Sequence, residues 1–249
     1  MLYGVFSDIH SNLEALEAVL AFFEGQGVQG YICCGDIVGY GPDPDACLTR
    51  IRALPNLSII CGNHDLAVIE RLDVNWFNAY AKAAVFWTRE ALSADNRAYL
   101  ESLTANVEGP EFSLAHGSPR RPAEEYLLSV QVFRDNMSLV HKWPLFIGHS
   151  HMPLFFTTNE DGQPEMSWLV DGQEVLVTRM PFGMAPAAFN PGSAGQPRDQ
   201  DPRAACGVYD SERGAFRLVR LPYDVGATQN KIRDAGLPEF LALRLGFGQ

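Results

Sequence analysis

The sequence predicts an α/β fold made of two packed mixed β-sheets flanked by helices. Three strand–loop–helix units follow one another in the first third of the chain, a pattern typical of a parallel sheet with right-handed crossovers. The last third instead contains short strands separated by tight turns, which is typical of antiparallel hairpins. The sequence shows no linker, low-complexity segment or internal repeat, so we expect one domain over residues 1–249.

The first three units alternate apolar runs with helical patterns. Their strands are predicted over residues 2–6, 30–34 and 57–61. After the first strand, apolar residues recur at helical spacing, and Ser11 with Glu14 matches a capping box. A glycine- and proline-rich loop over 39–44 precedes a second helix, which we expect at about 45–54.

The pattern becomes helical and aromatic after the third strand, and we predict a helical insert at about 66–104. Most of its aromatic side chains are expected in the core; the alternative is that some form a lid or wall over the functional edge. These side chains are Trp76, Phe77, Tyr80, Phe86, Trp87 and Tyr99. Beyond the insert, strands are predicted at 112–115 and 144–147, with a helix at 131–140 between them.

From about residue 154 the chain becomes rich in β-hairpins. Short strands are predicted over 154–158, 165–170, 174–178, 205–209 and 215–221. Tight turns such as Asp161-Gly162 separate them. Helices are expected to close the chain, because Leu237, Leu241 and Leu245 share one helical face.

Composition excludes some classes of function. The formal net charge is -11, which argues against a surface that binds duplex nucleic acid, because that task needs a clustered basic face. A small phosphorylated substrate held by metal ions remains compatible, since bound cations reverse the sign of the local field. No apolar run approaches about 18 residues, so no membrane span is expected.

Five cysteines fit neither a disulfide framework nor a paired Cys-x-x-Cys zinc site. They are Cys33, Cys34, Cys47, Cys61 and Cys206. We interpret them as small buried apolar residues in a reducing cytosol. Because Asp8 and His10 interrupt the first apolar run, the N-terminus does not resemble a signal peptide. We therefore expect a cytoplasmic protein, and the sequence leaves its oligomeric state open.

Polar side chains with metal-ligand chemistry follow five of the apolar runs. Their motifs are Asp8-x-His10, Gly35-Asp36, Gly62-Asn63-His64-Asp65, His116 and Gly148-His149-Ser150-His151. Each motif stands where a predicted strand ends, and ligands bind at that edge in open α/β sheets. We therefore expect these side chains to converge on one edge of the fold.

The candidate ligands are carboxylates, an amide and imidazoles, without a thiolate. They are Asp8, His10, Asp36, Asn63, His116, His149 and His151. They suffice for two metal ions that share Asp36, and mixed nitrogen and oxygen ligation suits manganese, iron or zinc better than calcium. Two ions about 3.5–4 Å apart can activate water at neutral pH and neutralise both oxygens of an in-line displacement at phosphorus. Manganese is the favoured ion.

In this order, the five motifs resemble those of the calcineurin-like metallophosphoesterase superfamily, and in particular its small prokaryotic phosphoesterases. The match runs from the N-terminus to residue 151, and the turn over 190–198 resembles the one that follows the last metal motif in that branch. The resemblance implies a four-layer αββα sandwich. The ligands it implies are Asp8, His10, Asp36 and His151 for one ion, and Asp36, Asn63, His116 and His149 for the other.

The resemblance also implies that His64 lies over the substrate and protonates or polarises the leaving oxygen. Protein serine/threonine phosphatases of the superfamily carry Gly-Asp-x-x-Asp-Arg-Gly at the second motif, where this chain has Gly39 and Tyr40 instead of that Asp and Arg. Protein phosphatase activity is therefore not expected. Tyr40 is a candidate pocket wall, and Arg198 is either a phosphate contact or part of an ordinary loop salt bridge.

The predicted function is dinuclear-metal-dependent hydrolysis of a phosphoester, favouring a small diester or nucleotide. A small-molecule phosphomonoesterase is the alternative within the same chemistry, and the acidic charge balance disfavours a nuclease. A metal-binding scaffold that holds a protein partner is the alternative from another class. The enzyme is favoured over the scaffold because every expected ligand position is filled, and so is that of His64.

Overall fold

The secondary structure of the computed structural model is described for residues 1–181 and 183–249. Its strands are β1 Leu2–Phe6, β2 Gly30–Cys33, β3 Leu57–Ile59, β4 Asn106–Glu108, β5 Ser113–Ala115, β6 Leu145–Phe146, β7 Leu154–Thr158, β8 Pro164–Trp168, β9 Glu174–Leu176, β10 Arg179–Met180, β11 Gly183–Met184, β12 Ala188–Asn190, β13 Ala204–Asp210 and β14 Ala215–Leu221. Its α-helices are α1 Leu13–Gln26, α2 Pro44–Arg52, α3 Asn63–Val68, α4 Ala79–Ala91, α5 Ala94–Ser102, α6 Val130–Asn136, α7 Val225–Asp234 and α8 Glu239–Leu245. Two 3₁₀ turns lie at Val74–Trp76 and Met137–Leu139.

Two mixed six-stranded sheets confirm the predicted fold class. The first has the order β3-β2-β1-β13-β14-β9, in which β1, β2 and β3 are parallel and the remaining pairings are antiparallel. The second has the order β4-β5-β6-β12-β7-β8, in which β5, β6 and β12 are parallel. Strands β10 and β11 form a separate antiparallel pair.

Aromatic side chains of the two sheets pack against each other and form the central core. Phe189 of β12 stacks on Phe216 of β14, with ring centres 4.5 Å apart. Phe146 of β6 meets Tyr209 of β13 edge to face at 5.2 Å, and all four side chains are buried. Each such side chain contributes about 1.5–3 kcal/mol through burial. These contacts hold the two sheets face to face.

Helices on the outer faces complete the four layers. Leu16 and Phe23 of α1 are buried in one cluster with Phe6 of the first sheet. On the second sheet, Phe133 of α6 stacks on Phe156 of β7 with ring centres 4.8 Å apart. The helical spacing of apolar residues in α1 therefore predicts the face that attaches the helix to its sheet.

The N-terminus of α1 shows that the capping box predicted for Ser11 and Glu14 is wrong. The N-cap is Asn12, whose side-chain oxygen accepts a hydrogen bond from the Ala15 N–H at 3.1 Å. Ser11 has a φ of 54° and lies in the left-handed region. The Asn12 side chain also donates to the Gly195 carbonyl at 2.8 Å, so the start of the helix is tied to the turn over 190–198.

The aromatic side chains of the helical insert are more exposed than expected. Trp76 is 70% exposed, and Tyr80 and Phe86 are each 45% exposed. Phe77, Trp87 and Tyr99 are half-buried. The prediction that most of these side chains lie in the core is therefore wrong.

Two strands of the second sheet lie where no strand was predicted. Strand β4 forms an edge, and β12 lies between β6 and β7. All five cysteines are buried and free, as expected for small apolar residues. Across the described part of the chain, no helix combines the length and apolar character needed to span a membrane.

Candidate metal centre

Five strand ends deliver the candidate ligands to one edge of the molecule. Asp8 and His10 follow β1, Asp36 follows β2, Asn63 follows β3, His116 follows β5, and His149 and His151 follow β6. Because β1, β2 and β3 are parallel, and so are β5 and β6, the side chains leave each sheet in the same direction. The parallel topology therefore makes the predicted convergence possible.

The converged side chains form two groups that share Asp36. Within each group the ligand atoms lie within 4.8 Å of one another, and every residue is buried. The first group is Asp8, His10, Asp36 and His151, and the second is Asp36, His116 and His149. Asn63 adjoins the second group, because its Oδ1 lies 3.1 Å from His116 Nε2. The structure thus brings all seven predicted ligands together.

In the first group, hydrogen bonds place the ring protons on the Nδ1 atoms, so two unprotonated Nε2 atoms face each other. His10 Nδ1 donates to the Val38 carbonyl at 3.2 Å, and His151 Nδ1 donates to the Gln196 carbonyl at 2.6 Å. The two Nε2 atoms therefore present lone pairs to each other at 3.1 Å, and Asp8 Oδ1 lies 3.3 Å from His151 Nε2. Atoms bound to one ion at about 2.1 Å are roughly 3.0–3.4 Å apart, so a cation fits between them and removes the repulsion.

In the second group, too, the atoms that face one another are hydrogen-bond acceptors. His116 Nδ1 donates to the Cys34 carbonyl at 2.7 Å. Its Nε2 is thereby turned towards Asp36 Oδ2 at 3.4 Å and Asn63 Oδ1 at 3.1 Å. His149 Nε2 is buried and has no hydrogen-bond partner among the described residues. Both groups therefore fit a divalent ion with nitrogen and oxygen ligands.

Burial and neighbouring charges shift the pKa values of the side chains in this site. Burial acts to raise the pKa of Asp36, but the charge of His116 and its hydrogen bond hold that pKa well below its usual value. Burial acts to lower the pKa of His116, and attraction to Asp36 raises it to about 9. Burial raises the pKa of Asp8 to about 7 and lowers that of His149 to about 3. In the metal-free protein a proton on His116 therefore balances Asp36, in the place where a cation fits.

We expect metal affinity to rise with pH up to about 9. Metal ligands must be deprotonated, so below the His116 pKa of about 9 binding releases that proton, and affinity changes about tenfold per pH unit. Below about pH 7 the Asp8 proton must leave as well, and the dependence becomes steeper. Calorimetric titration of Mn²⁺ into chelator-stripped protein in buffers of different ionisation enthalpy counts the protons. The variant His141→Gln, at an exposed histidine, is the control. An affinity that is constant between pH 7 and 9 would contradict this expectation.

Asp65 is a positioning residue to which the sequence assigned no role, although it belongs to the third motif. Its buried carboxylate accepts hydrogen bonds from three backbone N–H groups, those of Gly62 at 2.9 Å, Ile37 at 3.0 Å and Val38 at 3.0 Å. These bonds join the turn after β2 to the start of α3. There the His64 N–H donates to Asp36 Oδ1 at 2.8 Å, so Asp65 helps to set the orientation of the shared ligand.

The turn over 190–198 joins the ligand-bearing turns of both sheets. Ser193 Oγ donates to the Asp8 carbonyl at 2.7 Å. Asn190 Nδ2 donates to the Gly148 carbonyl at 2.6 Å. Together with the Gln196 carbonyl, which accepts from His151, these contacts place the turn beside the last metal motif.

His64 lies beside both groups and belongs to neither. Its buried ring has its centre 4.9 Å from that of His10 and 4.4 Å from that of Tyr40. Burial lowers the His64 pKa to about 4, so the ring is neutral at pH 7. Its Nδ1 is buried without a hydrogen-bond partner in the described part of the chain. A Cβ atom at Gly39 would lie 2.7 Å from that Nδ1, so position 39 directly faces this nitrogen.

A cavity of about 250 Å³ adjoins the candidate ligands. Its polar lining includes Asp36, Asn63, His64, His149, His151 and Arg198, and its aromatic lining comprises Tyr40, Trp76, Phe77 and Tyr126. Both candidate substrate contacts, Tyr40 and Arg198, therefore lie at the cavity. Trp76 and Phe77 come from the helical insert, which thus supplies part of the wall, as the alternative interpretation of its aromatic residues expected.

Tyr126 is a wall residue that sequence reasoning missed. Its ring stacks on His149 with centres 4.0 Å apart and planes 11° apart. It lies between β5 and α6 in a segment without a recognisable motif, so no sequence signal pointed to it.

The backbone of the ligand-bearing turns is left-handed at five of the ligands. The φ angles are 53° at Asp8, 49° at His10, 51° at Asp36, 67° at His149 and 59° at His151. Non-glycine residues adopt this region at a cost of about 1–2 kcal/mol each. Strain of this kind is concentrated at functional sites, where the surrounding structure maintains it.

Comparisons with known proteins identify the family of this chain. A model of the calcineurin-like phosphoesterase superfamily domain matches residues 1–214. An uncharacterized protein of Methanocaldococcus jannaschii is 36% identical over 255 residues, which cover 100% of this chain and 98% of that protein.

Two solved structures are similar over their full lengths. A metallophosphoesterase from Sphaerobacter thermophilus is 37% identical with a TM-score of 0.86, covering 100% of this chain and 99% of that one. A hypothetical protein from Pyrococcus horikoshii is 21% identical with a TM-score of 0.78, covering 100% and 98%, which supports the fold alone. Because the domain model matches residues 1–214 of the 249 in this chain, the chain belongs to the calcineurin-like phosphoesterase superfamily.

Proposed function

We propose that this protein hydrolyses a small phosphodiester or nucleotide with two divalent metal ions. Manganese is the favoured ion, and iron and zinc are the alternatives. One observation carries the proposal: two buried ligand groups share Asp36 and adjoin a cavity of about 250 Å³. Membership of a metal-dependent phosphoesterase superfamily supports the hydrolytic chemistry.

The chain's own residues would orient the reaction. When bound, the ions supply an activated water and positive charge for the phosphoryl oxygens. Asp36 is oriented by the His64 N–H, and Asp65 supports the two turns that carry these residues. As a neutral ring at pH 7, His64 would donate a hydrogen bond that polarises the leaving oxygen, and it could protonate that oxygen only after taking up a second proton. Phe77 packs on that ring with centres 4.7 Å apart and reduces the access of water to it.

Uncharged residues at positions 39 and 40 support a preference for diesters. Enzymes that bind a monoester dianion often use a bidentate arginine, because that geometry matches phosphate. Here the corresponding Tyr40 is a buried neutral ring, which packs on His10 with ring centres 4.8 Å apart. A diester carries a single negative charge and needs less added positive charge. The aromatic lining of the cavity suits a nucleobase, since stacking accepts any base.

The experiment that tests the function compares kcat/KM for a diester, a nucleotide monoester and a phosphoserine peptide in one manganese buffer. We expect the diester to be cleaved best and the phosphopeptide worst. A clear preference for the phosphopeptide would refute the proposed specificity. A preference for the monoester would indicate a small-molecule phosphatase with Arg198 as the phosphate clamp. Two bound ions without any hydrolysis would favour the scaffold.

The proposal also covers the binding partners of the protein and its location in the cell. A small phosphorylated molecule is the expected partner, and the net charge of -11 supports the exclusion of duplex nucleic acid. The five free, buried cysteines are compatible with the reducing cytoplasm in which we place the protein.

A further inference from the structure

Two arginines from distant parts of the chain meet at one aromatic ring. The guanidinium carbons of Arg198 and Arg244 each lie 5.8 Å from the centre of the Tyr40 ring. Arg198 belongs to the turn that holds the ligand-bearing segments, and Arg244 belongs to α8. The Tyr40 ring itself contacts His10 and His64. Two positive charges are therefore brought to the border of the candidate metal centre.

Neither guanidinium pairs with an Asp or Glu side chain within residues 1–181 and 183–249. Arg198 Nη2 donates to Gln196 Oε1 at 2.9 Å, and its Nε is buried without a partner in those residues. Arg244 Nε donates to the carbonyl of Gln249. Arg198 and Arg244 are half-buried, whereas Arg220 is buried and pairs with the carboxylate of Asp199. Arg198 and Arg244 therefore have no acidic side-chain partner among the described residues, and each keeps N–H donors that a further acceptor can use.

The two charges also oppose each other. Burial lowers the pKa of Arg244 to about 10, and the charge of Arg198 adds to that shift. Tyr40 and Phe240 lie beside the Arg244 guanidinium, whose carbon is 5.8 Å and 5.5 Å from their ring centres. Aromatic rings hold a guanidinium by cation–π attraction and leave its N–H groups free to bind an acceptor. An anion that accepts from both arginines would neutralise the pair.

We propose that Arg198 and Arg244 form a second anion site, which binds a further phosphate group of the substrate. Guanidinium groups recognise phosphate through paired N–H donors, so phosphate is the anion that this chemistry favours. Arg198 lines the cavity over the ligands, whereas Arg244 does not. The pair thus extends positive charge from the cavity towards α8. The substrate class is a phosphoester with a second phosphoryl group, such as a derivative of a nucleoside diphosphate.

This inference rests on the proposed function for the placement of the scissile ester, but its test does not require hydrolysis. Pyrophosphate and orthophosphate are titrated calorimetrically into chelator-stripped protein, so that no metal competes for either anion. We expect pyrophosphate to bind more tightly than orthophosphate. Arg244→Met and Arg198→Met should each weaken pyrophosphate binding about tenfold or more, as loss of a charge-assisted hydrogen bond predicts. Arg244→Lys should retain part of the affinity.

The matched control is Arg50→Met, which removes one positive charge from an exposed pair with Glu17. It should leave pyrophosphate binding unchanged. Should Arg244→Met fail to fold, Arg198→Met decides the question. The proposal is overturned if pyrophosphate does not bind the unsubstituted protein, or if the arginine variants bind it as tightly. A protein that binds pyrophosphate through both arginines but cleaves no phosphoester would refute the proposed function and retain the anion site.

Discussion

Asp36→Ala is expected to remove bound metal from both groups and to lower hydrolysis by at least about 10³-fold, because metal ions contribute several kcal/mol to such reactions. Asp36 is the residue that the two ligand groups share. Its loss would leave two cations without the carboxylate that separates and neutralises them. It would also leave His116 Nε2 without its neighbour at 3.4 Å. No other single ligand substitution should have so large an effect.

Metal content and kcat/KM should be measured on the same preparations of this variant. Asp45→Ala is a suitable control, because Asp45 is an aspartate outside the site that accepts hydrogen bonds from Ser93 and Asn96. It should retain two ions per chain and full activity. Two ions per chain in Asp36→Ala, or at most one in the unsubstituted protein under saturating manganese, would contradict the dinuclear assignment.

His64→Ala should keep both ions and slow turnover by about 10²–10³, the usual cost of removing one hydrogen-bond donor that stabilises developing charge on the leaving oxygen. The side chain lies beside the ligand groups but belongs to neither. Its effect should depend on the leaving group, because a nitrophenolate departs without a proton and an alkoxide does not. The ratio of wild-type to variant kcat should therefore be smaller for a nitrophenyl ester than for an alkyl ester.

His149→Ala provides the matched comparison for His64. Both rings are buried or nearly so, but only His149 belongs to a ligand group. His149→Ala should lose metal at concentrations that saturate the unsubstituted protein, and His64→Ala should not. Equal loss of metal in the two variants would make His64 a ligand and would remove the reason for the leaving-group dependence.

The candidate site was predictable because each ligand follows an apolar run that ends at one sheet edge. The sequence order of Asp8, Asp36 and His116 therefore carried most of the spatial information. The N-cap was not predictable in the same way, because Ser11 and Asn12 are both good capping residues and adjacent in sequence. Contacts with the 190–198 turn decide for Asn12.

Other features could not be predicted from the sequence, because the residues that determine them lie far apart in the chain. Strand β12 has three residues and pairs in parallel with β6, more than forty positions earlier, so no local alternation marks it. Trp76 belongs to an aromatic segment whose composition suits a core, and only tertiary structure shows that it borders a cavity. Arg244 stands in an ordinary amphipathic helix. Its meeting with Tyr40 depends on how α8 packs.

The left-handed backbone of the ligand-bearing turns positions the candidate ligands but lowers the stability of the fold. Five ligands in that region, at about 1–2 kcal/mol each, amount to much of the 5–15 kcal/mol by which a typical domain is stable. Metal held by these candidate ligands would offset this cost, because it would bind the folded state and not the unfolded chain. In the course of evolution, a descendant that no longer needs catalysis would gain stability by accepting glycine at His149, where glycine has no steric penalty and the lost Nε2 has no hydrogen-bond partner among the described residues. Mutational drift in the absence of selection for activity should therefore erase the metal site before it erodes the sheets.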